Sequence, residues 1–203
     1  MDKIKKIGIM GGTFDPIHIG HLIMAQSALS ELQLDQIVFM PSGNPPHKSS
    51  NLISDAGVRL DMVKVAIDNN EKFVYSDFEL KREGIIYTSD TLELIKKQYD
   101  HIEIYFIVGA DSLLDIEKWH EPDKIFRLCK MVVVDRDNSN EKIIAMKEYL
   151  SLKYHAEIFY INSPLVCISS TYIRNCVAKN QSVKYLIPES VEEYISTHHL
   201  YQT

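Results

Sequence analysis

The sequence predicts an α/β fold, an open, mainly parallel sheet with helices on both faces. Two observations carry that prediction. Short apolar runs rich in β-branched and aromatic residues alternate with amphipathic stretches of helical period, the pattern of parallel strands joined by crossover helices. Glycine- and proline-bearing joints follow the apolar runs, where such sheets place their ligand-binding loops. The 203 residues, 45% hydrophobic and 25% charged, suffice for a buried core and suit one domain better than two.

Residues 6–10 (KIGIM) form the first predicted strand. A helix follows over 21–33 (HLIMAQSALSELQ), with Leu22, Ala25, Leu29 and Leu32 on one stripe. A second strand spans 36–41 (QIVFMP), and a second helix 56–69 aligns Val58, Met62, Val65 and Ala66. Residues 72–80 (KFVYSDFEL) read as a third strand. The helix at 88–99 (TSDTLELIKKQY) opens on hydroxyl and carboxylate residues and closes on lysines, as caps and the helix dipole prefer. Strands follow at 102–109 (IEIYFIVG), 131–135 (MVVVD) and 157–161 (EIFYI), their composition favouring strand over short buried helix. Residues 170–180 and 188–199 read as two closing helices, the second with Pro188 in its first turn. The arrangement is Rossmann-like. It brings the joints at Gly11-Gly12, 41–48 and Gly109 to one cleft.

Charge and cysteines exclude several functions. A formal charge of −6 disfavours broad binding to nucleic acid or an anionic membrane. Any polyanion must therefore meet a local cluster of positive and N–H groups. Cys129, Cys167 and Cys176 form no C-x-x-C pair, so neither a disulfide framework nor a zinc knuckle is indicated. The apolar stretch in MDKIKKIGIM is too short for a signal peptide or a spanning helix. A cytoplasmic location is expected. No internal repeat or low-complexity segment is visible.

The segment GGTFDPIHIGH (11–21) carries the strongest chemical signal. Gly11 and Gly12 allow a tight turn whose N–H groups can face a phosphate, yet the pattern is neither G-x-G-x-x-G nor a P-loop. Asp15-Pro16 dictates an extended or turn conformation before the helix. His18 and His21 are three apart, hence on one face if the helix starts near His18. Gly20 leaves room for a ligand near the backbone. The helix N-terminus adds about 0.3–1 kcal/mol toward an anion. Two imidazoles there can donate N–H bonds without permanent charge, which suits stabilising charge as it develops. Either histidine alone would read as structural, and no Glu beside them completes an H-E-x-x-H metal site.

A second half-site is ISSTYIR (168–174). Ser169, Ser170 and Thr171 supply hydroxyls at a predicted helix start, and Arg174, three past Thr171 and four past Ser170, shares their face. Hydroxyls, helix N–H groups and a guanidinium fork together can clamp a triphosphate; an N-cap with a surface arginine is the plainer reading.

GGTFDPIHIGH resembles the T/HxGH motif of the nucleotidyltransferase superfamily. It is most similar to that of bacterial nicotinate-nucleotide adenylyltransferases, which make deamido-NAD from nicotinate mononucleotide and ATP. PPHK (45–48), REGIIYTSDTL (82–92), FIVGADSL (106–113), KWH (118–120), ISSTYIR and the ending YLIPESVEEYISTHHLY occur in that family's order. The resemblance therefore covers nearly the whole chain. It implies a single nucleotidyltransferase domain over 1–203, with the C-terminal helical part from about 168 completing the ATP site.

The resemblance also implies roles. His18, His21 and Arg174 would be catalytic, the histidines at the α- and β-phosphates and Arg174 with Ser170 and Thr171 at the β- and γ-phosphates. Gly11, Gly12, Thr13, Phe14, His47, Lys48, Gly109, Asp111, Arg136, Ile168 and Ser169 would complete the ATP side. Thr13, Lys48, Tyr87, Thr88, Trp119 and His120 would hold nicotinate mononucleotide. In the family, backbone N–H groups at the positions of Thr88 and His120 bind the nicotinate carboxylate, and Trp119 suits stacking on the ring. A helix start prefers an anion, whereas an amide would bring its own donors toward N–H donors. The mononucleotide's phosphate would attack the α-phosphorus in line, with no covalent enzyme intermediate. Mg²⁺ would ride on the triphosphate without direct protein ligands.

The chain departs from the family in three places. His120 replaces an aromatic residue, Ile85-Ile86 stand where Pro-Ser is common, and Arg136 is followed by DNSN in place of Pro-Gly. Three alternatives stay open on sequence: another adenylyl- or cytidylyltransferase, an enzyme preferring the nicotinamide mononucleotide, and a nucleotide-sensing protein on an enzyme scaffold. The oligomeric state, acid-over-amide preference, metal identity, loop closure and feedback by NAD are not written in the sequence; an oligomer is compatible with it.

Overall fold

The computed structural model describes residues 4–43, 53–135, 141–164 and 167–202. Its centre is a six-stranded sheet of order β3-β2-β1-β4-β5-β6, and every pairing is parallel. The strands are β1 (Lys5–Gly12), β2 (Gln36–Pro41), β3 (Phe73–Tyr75), β4 (Ile102–Gly109), β5 (Lys130–Asp135) and β6 (Ile158–Asn162). A parallel sheet covered on both faces needs near-continuous apolar strands. The runs MVVV in β5 and IYFIV in β4 supply them, with Ile104, Met131, Val132 and Val133 almost fully buried.

Helices α1 (Ile19–Glu31), α2 (Ala56–Ile67), α7 (Ser170–Ala178) and α8 (Glu189–Thr197) pack one face with Phe39, Ile37 and Ile107. Helices α3 (Thr88–Gln98), α4 (Ala110–Leu114), α5 (Pro122–Leu128) and α6 (Glu141–Tyr154) cover the other with Ile104, Met131 and Val133. Each fully buried side chain of this size contributes about 1.5–3 kcal/mol. The expected α1 stripe is shifted: Ala25, Ala28 and Leu29 are its buried apolar residues, while Leu22 and Leu32 pack partly against the core.

Two sequence expectations are corrected, and one gap is filled. The strand expected over 72–80 ends at Tyr75. Beyond it the Ser76 hydroxyl accepts the Phe78 N–H (3.2 Å), and Lys81 N–H and Arg82 N–H close turns onto Asp77 and Glu79 carbonyls. Such a local side-chain bond competes with the ladder. Pro188 caps α8 from outside its first turn. Helices α4, α5 and α6, for which no pattern was assigned, complete the crossovers from β4 to β5 and β5 to β6.

Candidate active site

The strand order reverses between β1 and β4, the switch point where open parallel sheets bind ligands. A cavity of about 590 Å³ opens there. Its floor is the carboxyl end of β1 and β4, including Gly11, Gly12, Phe106 and Gly109, with Ser42 past β2. Thr13, His18 and His21 line one wall, and Ile168, Ser169, Ser170, Thr171 and Arg174 another. Thr88 and Trp119 line the far side. The N-terminal ends of three helices thus meet one cavity, each contributing N–H groups without an intrahelical acceptor.

The first loop is shaped by packing. Phe14 takes a left-handed backbone (φ 51°) with its ring buried under the loop, edge-on to His21 at 5.1 Å. A Cβ on Gly12 would stand 2.9 Å from that ring, so glycine permits the turn. His18 is the N-cap of α1. Its backbone N–H donates to Nδ1 of His21 (3.2 Å), and the two imidazoles stack with centroids 3.6 Å apart. An accepting Nδ1 leaves the His21 ring proton on Nε2.

A buried carboxylate organises this loop. Asp15 is 3% exposed. It accepts from the Tyr201 hydroxyl (2.7 Å) and the Ser54 N–H (3.3 Å). Arg174 Nη1 donates to the Asp15 carbonyl (2.7 Å) and lies 3.9 Å from the carboxylate. Arg59, 2% exposed, donates to the Thr13 carbonyl (2.8 Å). Burial lowers the Arg59 guanidinium below its ordinary value, with the charges of Asp15 and Asp55 opposing the shift. From α7, the Ser170 hydroxyl donates to the Pro16 carbonyl (2.8 Å), while Ser169 accepts the Tyr172 N–H as N-cap. Residues 15 and 201, at opposite ends of the chain, are therefore held as one unit.

On the far side, Trp119 follows a 3-10 turn (Ile116–Lys118) and stands edge-on to Phe106 at 6.3 Å. Tyr87, the N-cap of α3, packs its ring on His120 at 4.2 Å.

The cytidylyltransferase-like family matches residues 9–176. A probable nicotinate-nucleotide adenylyltransferase of Clostridium kluyveri is 47% identical over 97% of this chain and 99% of its own. One of Clostridium tetani is 44% identical over 98% and 100%. The chain belongs to the cytidylyltransferase-like family and, within it, to the nicotinate-nucleotide adenylyltransferases. The fold is shared with a Plasmodium falciparum nicotinic acid mononucleotide adenylyltransferase. Its structure complexed with NaAD superposes with a TM-score of 0.80 at 24% identity, over 97% of each chain. Its complex with APC gives 0.78 at 23%, again over 97% of each.

Most family-implied residues converge on the cavity, but not all. Phe14 lies beneath the loop, outside the lining. Asp111 is exposed in the first turn of α4, and Ser112 lines the cavity in its place. Tyr87 and His120 flank Thr88 and Trp119 without lining the cavity. His47, Lys48 and Arg136 lie outside the described residues. Sequence reasoning passed over Asp15, Ser42, Glu79 and Thr91, which also line it. Asp15 carried a readable signal: a carboxylate within the apolar run Phe14-Asp15-Pro16-Ile17 must find partners once buried. Among the described residues no cluster of three His, Cys, Asp or Glu could hold a metal ion. None of their helices is long and apolar enough to cross a membrane.

Proposed function

We propose that this cavity transfers AMP from ATP to nicotinate mononucleotide, giving nicotinate adenine dinucleotide and pyrophosphate. The observation that carries the reading is the meeting of the α1, α3 and α7 N-termini with His18, His21 and Arg174 on one cavity. A phosphate oxygen of the mononucleotide bonds to the α-phosphorus as the bond to the β-phosphate bridging oxygen breaks. That nucleophile is already ionised, so no general base and no covalent enzyme intermediate are needed. Catalysis is positioning plus charge stabilisation. His18 and His21 serve the α- and β-phosphates; Ser170, Thr171 and Arg174 serve the β- and γ-phosphates.

The donors around the cavity suit anionic oxygens, and the Asp15 carboxylate is engaged by Tyr201 and Ser54. Mg²⁺ therefore fits as an ion carried by phosphate oxygens and water, where it would offset charge on the triphosphate. We read the chain as one domain whose residues from about 168 complete the ATP side. Three unbridged cysteines agree with a cytoplasmic protein.

The test is pyrophosphate release with ATP and Mg²⁺, comparing nicotinate with nicotinamide mononucleotide at matched concentrations. Strong preference for the acid is expected, because the α3 N-terminus at Thr88 favours an anion. Equal rates would sink this account of specificity; no release with either would sink the activity. Trp119→Ala should raise KM for the pyridine nucleotide about tenfold while KM for ATP holds, since base–aromatic stacking is worth about 1–3 kcal/mol. Equal rises in both would remove Trp119 from the stacking role.

A further inference from the structure

We propose that Glu79 is a positioning residue that joins the two lips of the pyridine-nucleotide half of the cavity through Thr91 and Gly43. The proposal rests on the reading of that half as the nicotinate mononucleotide side. Glu79 lines the cavity with Thr88 and Thr91. The Thr91 hydroxyl donates to Glu79 Oε1 (2.9 Å) and accepts from Arg82 Nη1 (2.9 Å). One hydroxyl proton serves one acceptor, so Arg82 fixes the direction of that bond toward Glu79. Thr91 lies in the turn of α3 that follows Thr88, the residue at the anion-preferring helix start.

The other lip is the segment after β2. The Gly43 N–H faces the Glu79 carboxylate. A Cβ on Gly43 would stand 2.5 Å from the Glu79 carbonyl oxygen and 2.6 Å from Ile86 Cδ1, so Glu79 and Ile86 pack directly on that backbone. Ser42, next to it, donates its N–H to the Gly12 carbonyl (2.8 Å). Glu79 thus connects the start of α3 to a strand end that is itself tied to the first loop.

Stability does not explain a charge at this place. Burial raises the Glu79 carboxyl above its ordinary range, more than Thr91, Gly43 and Arg82 lower it. A group raised in the fold gives its full stabilisation only below its unfolded value and loses it as pH rises through the folded one. The fold therefore favours the protonated over the ionised carboxyl, and an uncharged isostere should be no less stable. What the geometry asks of residue 79 is an acceptor oxygen for the Thr91 hydroxyl, which a glutamine also supplies.

The experiment compares Glu79→Ala and Glu79→Gln with the unaltered chain. Glutamine retains an oxygen for the Thr91 hydroxyl; alanine does not. Glu79→Ala should raise KM for nicotinate mononucleotide about tenfold with KM for ATP within about twofold, and Glu79→Gln should restore the former to within about threefold. Hydrogen exchange of the free proteins should show faster exchange over 84–92 in Glu79→Ala only, and Glu79→Gln should unfold at the same or higher urea concentration. Equal KM rises for both substrates, or a glutamine variant as impaired as alanine, would overturn the proposal. If the unaltered chain releases no pyrophosphate, the functional reading falls, and the exchange comparison alone decides whether Glu79 positions α3.

Discussion

Replacing His21 by alanine should lower kcat by about 10²–10³ with folding intact. That is the loss typical of one donor aimed at charge that develops in the transition state. His21 Nδ1 is engaged by the His18 N–H at 3.2 Å, so the ring proton available for such a bond is on Nε2. The ring cannot wander, because it stacks on His18 at 3.6 Å and meets the buried Phe14 edge-on. Preorganisation of this kind removes the cost of aligning a donor at the moment of reaction. The structural loss is smaller: the hydrogen bond from the His18 N–H is worth about 0.5–1.5 kcal/mol, and the ring contacts with His18 and Phe14 lie at a helix end that water can reach. Steady-state kinetics and a thermal melt decide the matter. A folded His21→Ala protein with kcat within about threefold of the unaltered chain would dismiss the donor role.

The same segment shows what a sequence can and cannot display. Gly12, His18 and His21 were legible because turn, cap and donor requirements are local: each depends on residues within one helical turn. The sheet was legible for a related reason, since strands buried on both faces must be apolar throughout, as MVVV in β5 is. The start of α7 was readable from Ser170, Thr171 and Arg174, whose three- and four-residue spacing alone puts them on one face. What the spacing could not supply was the partner. Ser170 donates to Pro16 and Arg174 to Asp15, contacts that span 154 and 159 residues of chain.

Elements were missed where periodicity was blurred. In α6 the buried residues are Ile143 and Leu150, seven apart, while Ile144, Tyr149 and Leu152 face solvent. Apolar residues on all sides erase the stripe that marks a helix. Topology offered the better signal, because two adjacent parallel strands such as β5 and β6 require a long crossover. The expected third strand failed in the opposite direction. Its alternation ran on through Phe78, but Phe78 packs against the α3-side core from a turn, where alternation no longer reports a ladder. Glu79 was hidden by the same misreading: counted as the eighth residue of a strand, it had no reason to face a cavity.

Asp15→Ala should be the most damaging substitution outside the phosphate-binding groups. It removes a carboxylate that accepts from Tyr201 and Ser54 and that offsets the buried charge of Arg59. Donors left unsatisfied inside a protein cost about 1–3 kcal/mol each, and a buried charge deprived of its partner costs more. A loss on the order of 3 kcal/mol in urea unfolding is expected. Because the Asp15 carbonyl also seats Arg174, kcat should fall roughly 10- to 100-fold, the scale set by about an ångström of misplacement. Tyr201→Phe should cost about 1 kcal/mol alone and almost nothing in the Asp15→Ala background. Neighbours sharing one hydrogen bond are not additive. Burial and the Asp15 charge hold the Tyr201 phenol above its usual range. Its contribution is therefore full below the ordinary value near 10 and is lost only as pH rises through the raised one. Urea midpoints of the four proteins at pH 7.5 or so suffice for the cycle. Additive losses would mean that Tyr201 and Asp15 act independently, and the chain's end would then have no part in setting the phosphate loop.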